Sequence, residues 1–122
     1  MISQKHIRDS EHRYIKKINE FHFGQRIAGS GSGPLSVCDC IVVEEGQVYL
    51  TEIKATSQER LVLTPKEIDR LALMIRAAEK NPPLKCRLVI HFKRRGWQTI
   101  LLNSVGEIPT FFFFNNSASY DL

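Results

Sequence analysis

The chain reads as one mixed α/β domain: a central mixed β-sheet with flanking helices, in the order helix, three strands, helix, two strands (αβββαββ). Three observations point there. Apolar residues recur at helical spacing in two segments, one near the start and one after Thr64. The segments between and after these helices are rich in Val, Ile and Leu, alternate with period two, and are separated by short glycine-containing turns. The 122 residues show no internal repeat or long linker, which suits a single core of about 100–150 residues.

Composition excludes several classes. Hydrophobic residues at 43% and charged residues at 25% exclude disorder for most of the chain. No apolar run approaches the ~20 residues of a membrane span, so no membrane role is expected. The opening, MISQKHIRDSEHR, is charged throughout and lacks a signal peptide's apolar stretch, so a soluble, cytoplasmic protein is expected. Net charge +4 with a pI near 9.1 allows a polyanionic partner without requiring one. The three cysteines read as reduced, buried thiols, because Cys38-x-Cys40 is too closely spaced for a zinc pair. The four histidines show no ligand spacing.

The first helix covers residues 4–19, with Ile7, Tyr14, Ile15 and Ile18 as its apolar stripe. Glu11 falls on that stripe. It either reaches water at the stripe's edge or is buried, where it needs a cation or donors. Residues 25–28 read as a short strand, followed by the loop Gly29-Ser30-Gly31-Ser32-Gly33-Pro34. That loop matches neither a P-loop nor a dinucleotide fingerprint. Residues 36–44 and 47–55 read as two strands around a turn at Glu45-Gly46. Alternation puts Val37, Asp39, Ile41 and Val43 on one face of the first, with Cys38, Cys40 and Val42 on the other. In the second, Val48, Leu50, Glu52 and Lys54 share a face. A two-residue loop places Asp39 opposite Glu52, with Cβ atoms ~5 Å apart. A three-residue loop places them on opposite faces. Thr64-Pro65-Lys66-Glu67 reads as a capping box opening the second helix, whose apolar face is Ile68, Leu71, Ala72, Ile75 and Ala78 and which Asn81-Pro82-Pro83 ends. Residues 84–92 and 97–102 read as the last two strands, joined by the basic turn Lys93-Arg94-Arg95-Gly96. The domain is expected to span 1–122, with its core in about 4–105 and a tail in 106–122.

Glu11, Asp39 and Glu52, if they converge, make an all-oxygen donor set for a hard divalent cation such as magnesium. Lys54, two residues from Glu52 on the same strand face, could orient or deprotonate a water and stabilise charge on a phosphate oxygen. This set suits phosphodiester hydrolysis.

Asp39 followed thirteen residues later by Glu52-Ile53-Lys54, on a hairpin between two helices, resembles the PD-(D/E)XK nuclease superfamily and its restriction-endonuclease-like fold. Other segments fall in order with it. They are Glu11 in the first helix, Arg26-Ile27-Ala28-Gly29-Ser30-Gly31, Tyr49–Lys54, 61–71, and Gly96-Trp97. Together, over about residues 7–105, they resemble the archaeal-type Holliday junction resolvases, which also occur in some phages. The resemblance implies a homodimer that cuts four-way DNA junctions with paired nicks, using Mg²⁺ with Mn²⁺ as a substitute. It implies that Glu11, Asp39, Glu52 and the Ile53 carbonyl are metal ligands, that Lys54 positions the nucleophilic water, and that Ser30 assists at the scissile phosphate. It also favours the register placing Asp39 and Glu52 on one face. Cys38 stands where the family usually has proline.

Arg13, Lys16, Lys17, Arg26, Ser30, Ser32, Lys93, Arg94 and Arg95 are the candidate DNA-contacting residues. Phe111–Phe114 would be an aggregation hazard if exposed, so it is expected to be buried, either along the core or in a two-fold interface. Two other readings compete with the resolvase: another repair or nicking nuclease of the same superfamily, and a catalytically silent DNA-binding module on the same fold.

Overall fold

The computed structural model describes residues 4–27 and 38–122. Helix α1 (Gln4–Ile18) leads into strands β1 (Phe23–Arg26), β2 (Cys40–Glu44), β3 (Gln47–Thr56) and β4 (Arg60–Val62). Helix α2 (Pro65–Glu79), β5 (Lys85–Phe92), β6 (Gly96–Leu102) and a short β7 (Phe111–Phe113) follow. The central sheet has order β1-β2-β3-β5-β6. Among the described residues of this sheet only the β3–β5 pairing is parallel, as the long crossover through β4 and α2 requires; the short β2–β3 and β5–β6 turns make antiparallel pairs, and β1 also pairs β2 antiparallel.

Each helix covers one face. On the α2 face, Leu71, Met74 and Ile75 pack on Leu50, Leu88, Ile90 and Phe92. On the α1 face, Tyr14 packs with Cys40, Val42, Ile53, Val89 and Trp97. Strand β5 serves both layers, since alternate residues point each way and it is an interior strand, flanked by β3 and β6. Helix α1 lies close enough to β1 that a Cβ on Gly24 would sit 3.0 Å from Ile18 Cγ2, so glycine sets that approach. All three cysteines are free and buried, as expected. No helix among the described residues is long and apolar enough to cross a membrane.

Several expectations need correction. Strand β2 begins at Cys40 rather than residue 36, because the chain bends at Asp39; residues 28–37 lie outside the described part. That bend carries Cys38 to the α2 side, away from Cys40 and Val42. Strand β1 spans Phe23–Arg26, two residues earlier than read from the sequence. The order αβββαββ also omits a second, two-stranded sheet in which β4 pairs β7. Three-residue strands carry too little alternation to register as such.

That small sheet decides the fate of the phenylalanine run. Alternation turns Phe112 and Phe114 onto the α2-side core and turns Phe111 and Phe113 outward, 47% and 60% exposed. The run is therefore only half buried within this chain. The remaining tail folds back on β6, where Trp97 and Tyr120 exchange backbone hydrogen bonds of 2.9 and 3.0 Å.

Candidate active site

The β2–β3 hairpin supplies the site's acidic pair. Its turn has two residues, Glu45 (φ 50°) and Gly46 (φ 81°), both in the left-handed region of primed turns. Glu44 pairs with Gln47, and the ladder runs in that register to Cys40 opposite Thr51. Of the two loops open on the sequence, the two-residue one is realised. Past the bend, the Asp39 amide still donates to the Thr51 carbonyl (3.1 Å), and Asp39 Oδ2 accepts from the Ile53 amide at 2.8 Å. The aspartate side chain thus completes the ladder of β3 where the backbone of β2 has turned away.

Glu52, on the α2-facing side of β3, is only 2% exposed. Lys54 Nζ lies 3.8 Å from its Oε2, as the period of two requires. The cation that this paired-carboxylate geometry calls for is Arg70. Its Nε donates to Glu52 Oε2 at 2.8 Å and its Nη2 lies 3.5 Å from Asp39 Oδ1. Arg70 was not among the sequence candidates. The spacing Glu67-x-x-Arg70 puts both on one face of α2, and the capping box fixes where that helix starts, but nothing local in the sequence says that this face meets Glu52.

Glu67 does two jobs. Its Oε1 accepts from the Thr64 amide (2.9 Å) while Thr64 Oγ1 accepts from the Glu67 amide (3.2 Å), closing the capping box. Its Oε2 holds Lys54 Nζ at 2.8 Å. The same residue that starts the helix therefore fixes the lysine beside the acidic pair.

Burial sets the ionisation of these groups. Glu52 is pushed up to about 7, first by desolvation and then by the Asp39 charge, against the pull of Lys54 and Arg70. One of its oxygens, Oε1, is buried with no hydrogen-bond partner among the described residues, as is Arg70 Nη2. For Glu67 burial works upward, but the hydrogen bonds from Lys54 and Thr64 leave it below the usual carboxylate range.

Glu11 is buried (6% exposed), so of its two readings the burial holds. Its partner is Arg26, whose Nε lies 3.2 Å from Oε1. Burial and the Asp39 charge raise its pKa, so Glu11 stands within electrostatic reach of the pair. Among the described residues, no three His, Cys, Asp or Glu side chains are gathered as a ready metal cluster. Arg26 engages Glu11, and Arg70 already bridges Asp39 and Glu52.

The remaining candidates are dispersed. Ser30 and Ser32 lie outside the described residues. Arg26 serves Glu11, and Lys17 pairs with Glu20 at 3.5 Å on the surface. Arg13 donates to the Leu122 carbonyl (2.9 Å) and, with Lys93, stands close enough to His91 to lower its pKa. Lys16 and Arg94 are exposed. Arg95 turns the other way, donating to the Ser57 carbonyl (3.3 Å) and pairing with Glu59 at 3.5 Å. Ile53 contributes its amide to Asp39, and its side chain is buried in the α1-side core.

Two buried polar clusters were not read from the sequence, and both tie α1 to the sheet. Arg87 Nη2 donates to Tyr14 Oη at 2.7 Å and to Glu44 Oε1 at 2.8 Å, with its guanidinium 4.4 Å from the Tyr49 ring centre. His91 Nδ1 is 2.8 Å from Ser10 Oγ, and its ring stacks on Trp97 at 4.1 Å.

The architecture is that of a mixed α/β domain with its acidic pair and lysine on a hairpin under a helix-borne arginine. The family model described as archaeal Holliday junction resolvase (hjc) matches residues 19–110, about three quarters of the chain, and the chain belongs to this family. The structure of Hjc from Archaeoglobus fulgidus, described as a Holliday junction resolvase from an archaeal hyperthermophile, is similar with a TM-score of 0.62 and 19% identity. That similarity covers 76% of this chain and 73% of the other. A search of curated proteins found no match.

Proposed function

We propose that this chain is a Mg²⁺-dependent endonuclease, for which Mn²⁺ substitutes, that resolves four-way DNA junctions by paired phosphodiester cuts as a homodimer. Family membership supports the substrate, and two opposed strands call for two copies of the site. One observation carries the chemistry: two carboxylates face each other across the hairpin, and Glu52 Oε1 is buried without a partner. A buried, orphaned carboxylate oxygen costs free energy that a cation would recover.

The residues fit a hard divalent ion, because every donor offered is oxygen. Asp39, Glu52 and the Ile53 carbonyl would hold it, with Glu11 as a further ligand once released from Arg26. When bound, it would polarise the scissile phosphate and lower the pKa of a water. Lys54, held between Glu52 and Glu67, orients the attacking water and stabilises charge growing on the phosphate oxygens. Arg70 neutralises the acidic pair while no cation is present, its Nε on Glu52 and its Nη2 beside Asp39. Ser30 assists at the scissile phosphate. Arg13, Lys16, Lys17, Lys93 and Arg94 meet the DNA arms.

The test is a labelled four-way junction beside a linear duplex of the same arms, with Mg²⁺ or Mn²⁺ and an Asp39→Ala control. Paired symmetric nicks in the junction alone, absent from the variant, are expected. Equal cutting of the duplex would discard the junction assignment while keeping the nuclease. A catalytically silent DNA-binding module is the second reading, favoured by the way Arg70 already neutralises Asp39 and Glu52. Tight junction binding with no cutting and no calorimetric response to Mn²⁺ would establish it.

A further inference from the structure

Beside Lys54 an open groove of about 960 Å³ runs from the active-site lysine to Phe113 of the tail strand. Its walls include Thr56, Ser57, Arg60 and Arg95. Arg60 and Phe113 are directly opposed in the β4–β7 pair, so their side chains leave the same face of the small sheet. Val62 opposes Phe111 one step further along, and the two phenylalanines meet edge to face at 5.2 Å. The outer face of this sheet is therefore two exposed aromatic rings and a valine with an arginine beside them. Among the described residues Arg60 has no ion-pair partner. The groove's two carboxylates are both engaged, Glu67 by Lys54 and Glu59 by Arg95.

Exposed rings at this density mark an interaction surface. Their setting selects the occupant. Aromatic faces beside cations, in a groove that ends at the lysine of a phosphodiester site, match a nucleotide with an unstacked base: the π-face for the ring, the phosphate for the guanidinium. Base pairs inside a linear duplex cover one another's faces, whereas at the point of strand exchange a base can be offered to protein. The rings lie beyond residues 19–110, so the family match does not supply them.

We propose that this groove seats a nucleotide flanking the cut phosphate at the branch point, its base stacked on Phe113 and its backbone held by Arg60. The proposal rests on the junction-cleaving reading above. It is tested with the full chain in Ca²⁺, using four-way junctions carrying 2-aminopurine at the branch point and linear duplexes of the same arms. Wild type is expected to bind the junction preferentially and to change the 2-aminopurine emission. Phe113→Ala should lose that change and bind the junction about 5- to 100-fold more weakly, with duplex affinity unaltered. Phe113→Trp should restore both. Equal junction affinity and an unchanged 2-aminopurine signal in Phe113→Ala would overturn the platform while leaving junction recognition intact. A wild type that binds junction and duplex alike would instead sink the resolvase reading. Should Phe113→Ala alter only the association state in sedimentation, the face is a contact between copies of this chain and the proposal fails.

Discussion

Replacing Arg70 by methionine removes a cation that bridges Asp39 and Glu52 while keeping much of the side chain's bulk. A charge pair near 3–4 Å is worth about 4 kcal/mol at an effective dielectric of 20, and stripping one partner from a buried pair costs about 3–5 kcal/mol. The loss at neutral pH should be smaller. Glu52 already titrates at about 7, so at that pH it can take up a proton at a cost of only a few tenths of a kcal/mol. We therefore expect about 1.5–3 kcal/mol at pH 7 and less at pH 5. The penalty should grow by up to about 1.4 kcal/mol per unit above neutrality, until the Glu52 of the variant is itself ionised. The sign follows from the raised pKa: the folded state binds the proton more tightly than the unfolded one, so stability falls as pH rises through the window between 4.5 and the folded value. Urea unfolding in EDTA at pH 5, 7 and 8.5 reads this out. A Mn²⁺ titration reads the other half, since a cation no longer has to displace the guanidinium and should bind the variant about tenfold more tightly. A penalty independent of pH, or equal stabilisation of both proteins by Mn²⁺, would refute the reasoning.

The other predictions use groups outside the acidic pair or set against it. His91 is pushed down to about 4, first by burial and then by Lys93 and Arg13, so its contribution to stability is complete above about 6.5 and is lost as pH falls toward 4. Glu52 acts with the opposite slope over nearly the same range. Metal-free wild type should therefore fall only gently between pH 4.5 and 6.5, where the raised Glu11 adds to the Glu52 slope, while His91→Gln should fall more steeply as pH rises there; a wild type that steepens like the variant contradicts the pairing. Arg87→Met should cost about 1–3 kcal/mol by removing the partner of half-buried Glu44 and of the Tyr14 hydroxyl, and Tyr14→Phe about 1 kcal/mol, with clear coupling in a double-mutant cycle. Lys54→Met should lower cutting by about 10²–10³-fold with junction affinity unchanged, checked by single-turnover cleavage beside anisotropy.

What the sequence makes legible here is whatever has local periodicity or a local stop signal. Helix α2 could be placed because Thr64, Pro65 and Glu67 spell its start within four residues. The two long hairpin strands could be placed because Val, Ile and Leu alternate across five to ten positions. The same alternation misplaced Cys38, since nothing local announces that the chain bends at Asp39. Strands β4 and β7 were invisible for a related reason. Each has three residues, and neither makes sense until the other, some fifty residues away, is known.

The site shows the same division. Asp39, Glu52 and Lys54 were readable because their relation is set by strand period and by a two-residue turn. Arg70 was not, because its bond to Glu52 depends on how α2 lies over the sheet, which is a property of the packed core of Leu71, Met74 and Ile75 on Leu88 and Ile90. Yet once two carboxylates face each other in a pocket this dry, some cation must stand between them. The sequence therefore specified the need for a positive charge without specifying its source. The fold meets that need with an arginine from the crossover helix, and a divalent ion, if the proposed metal chemistry holds, would enter only in competition with it. On the proposed reading, the acidic pair's hold on metal would thus be set in part by the residue that stabilises it empty, so that Arg70, one helical turn from the capping glutamate, would tune both the stability of the resting protein and its affinity for the ion.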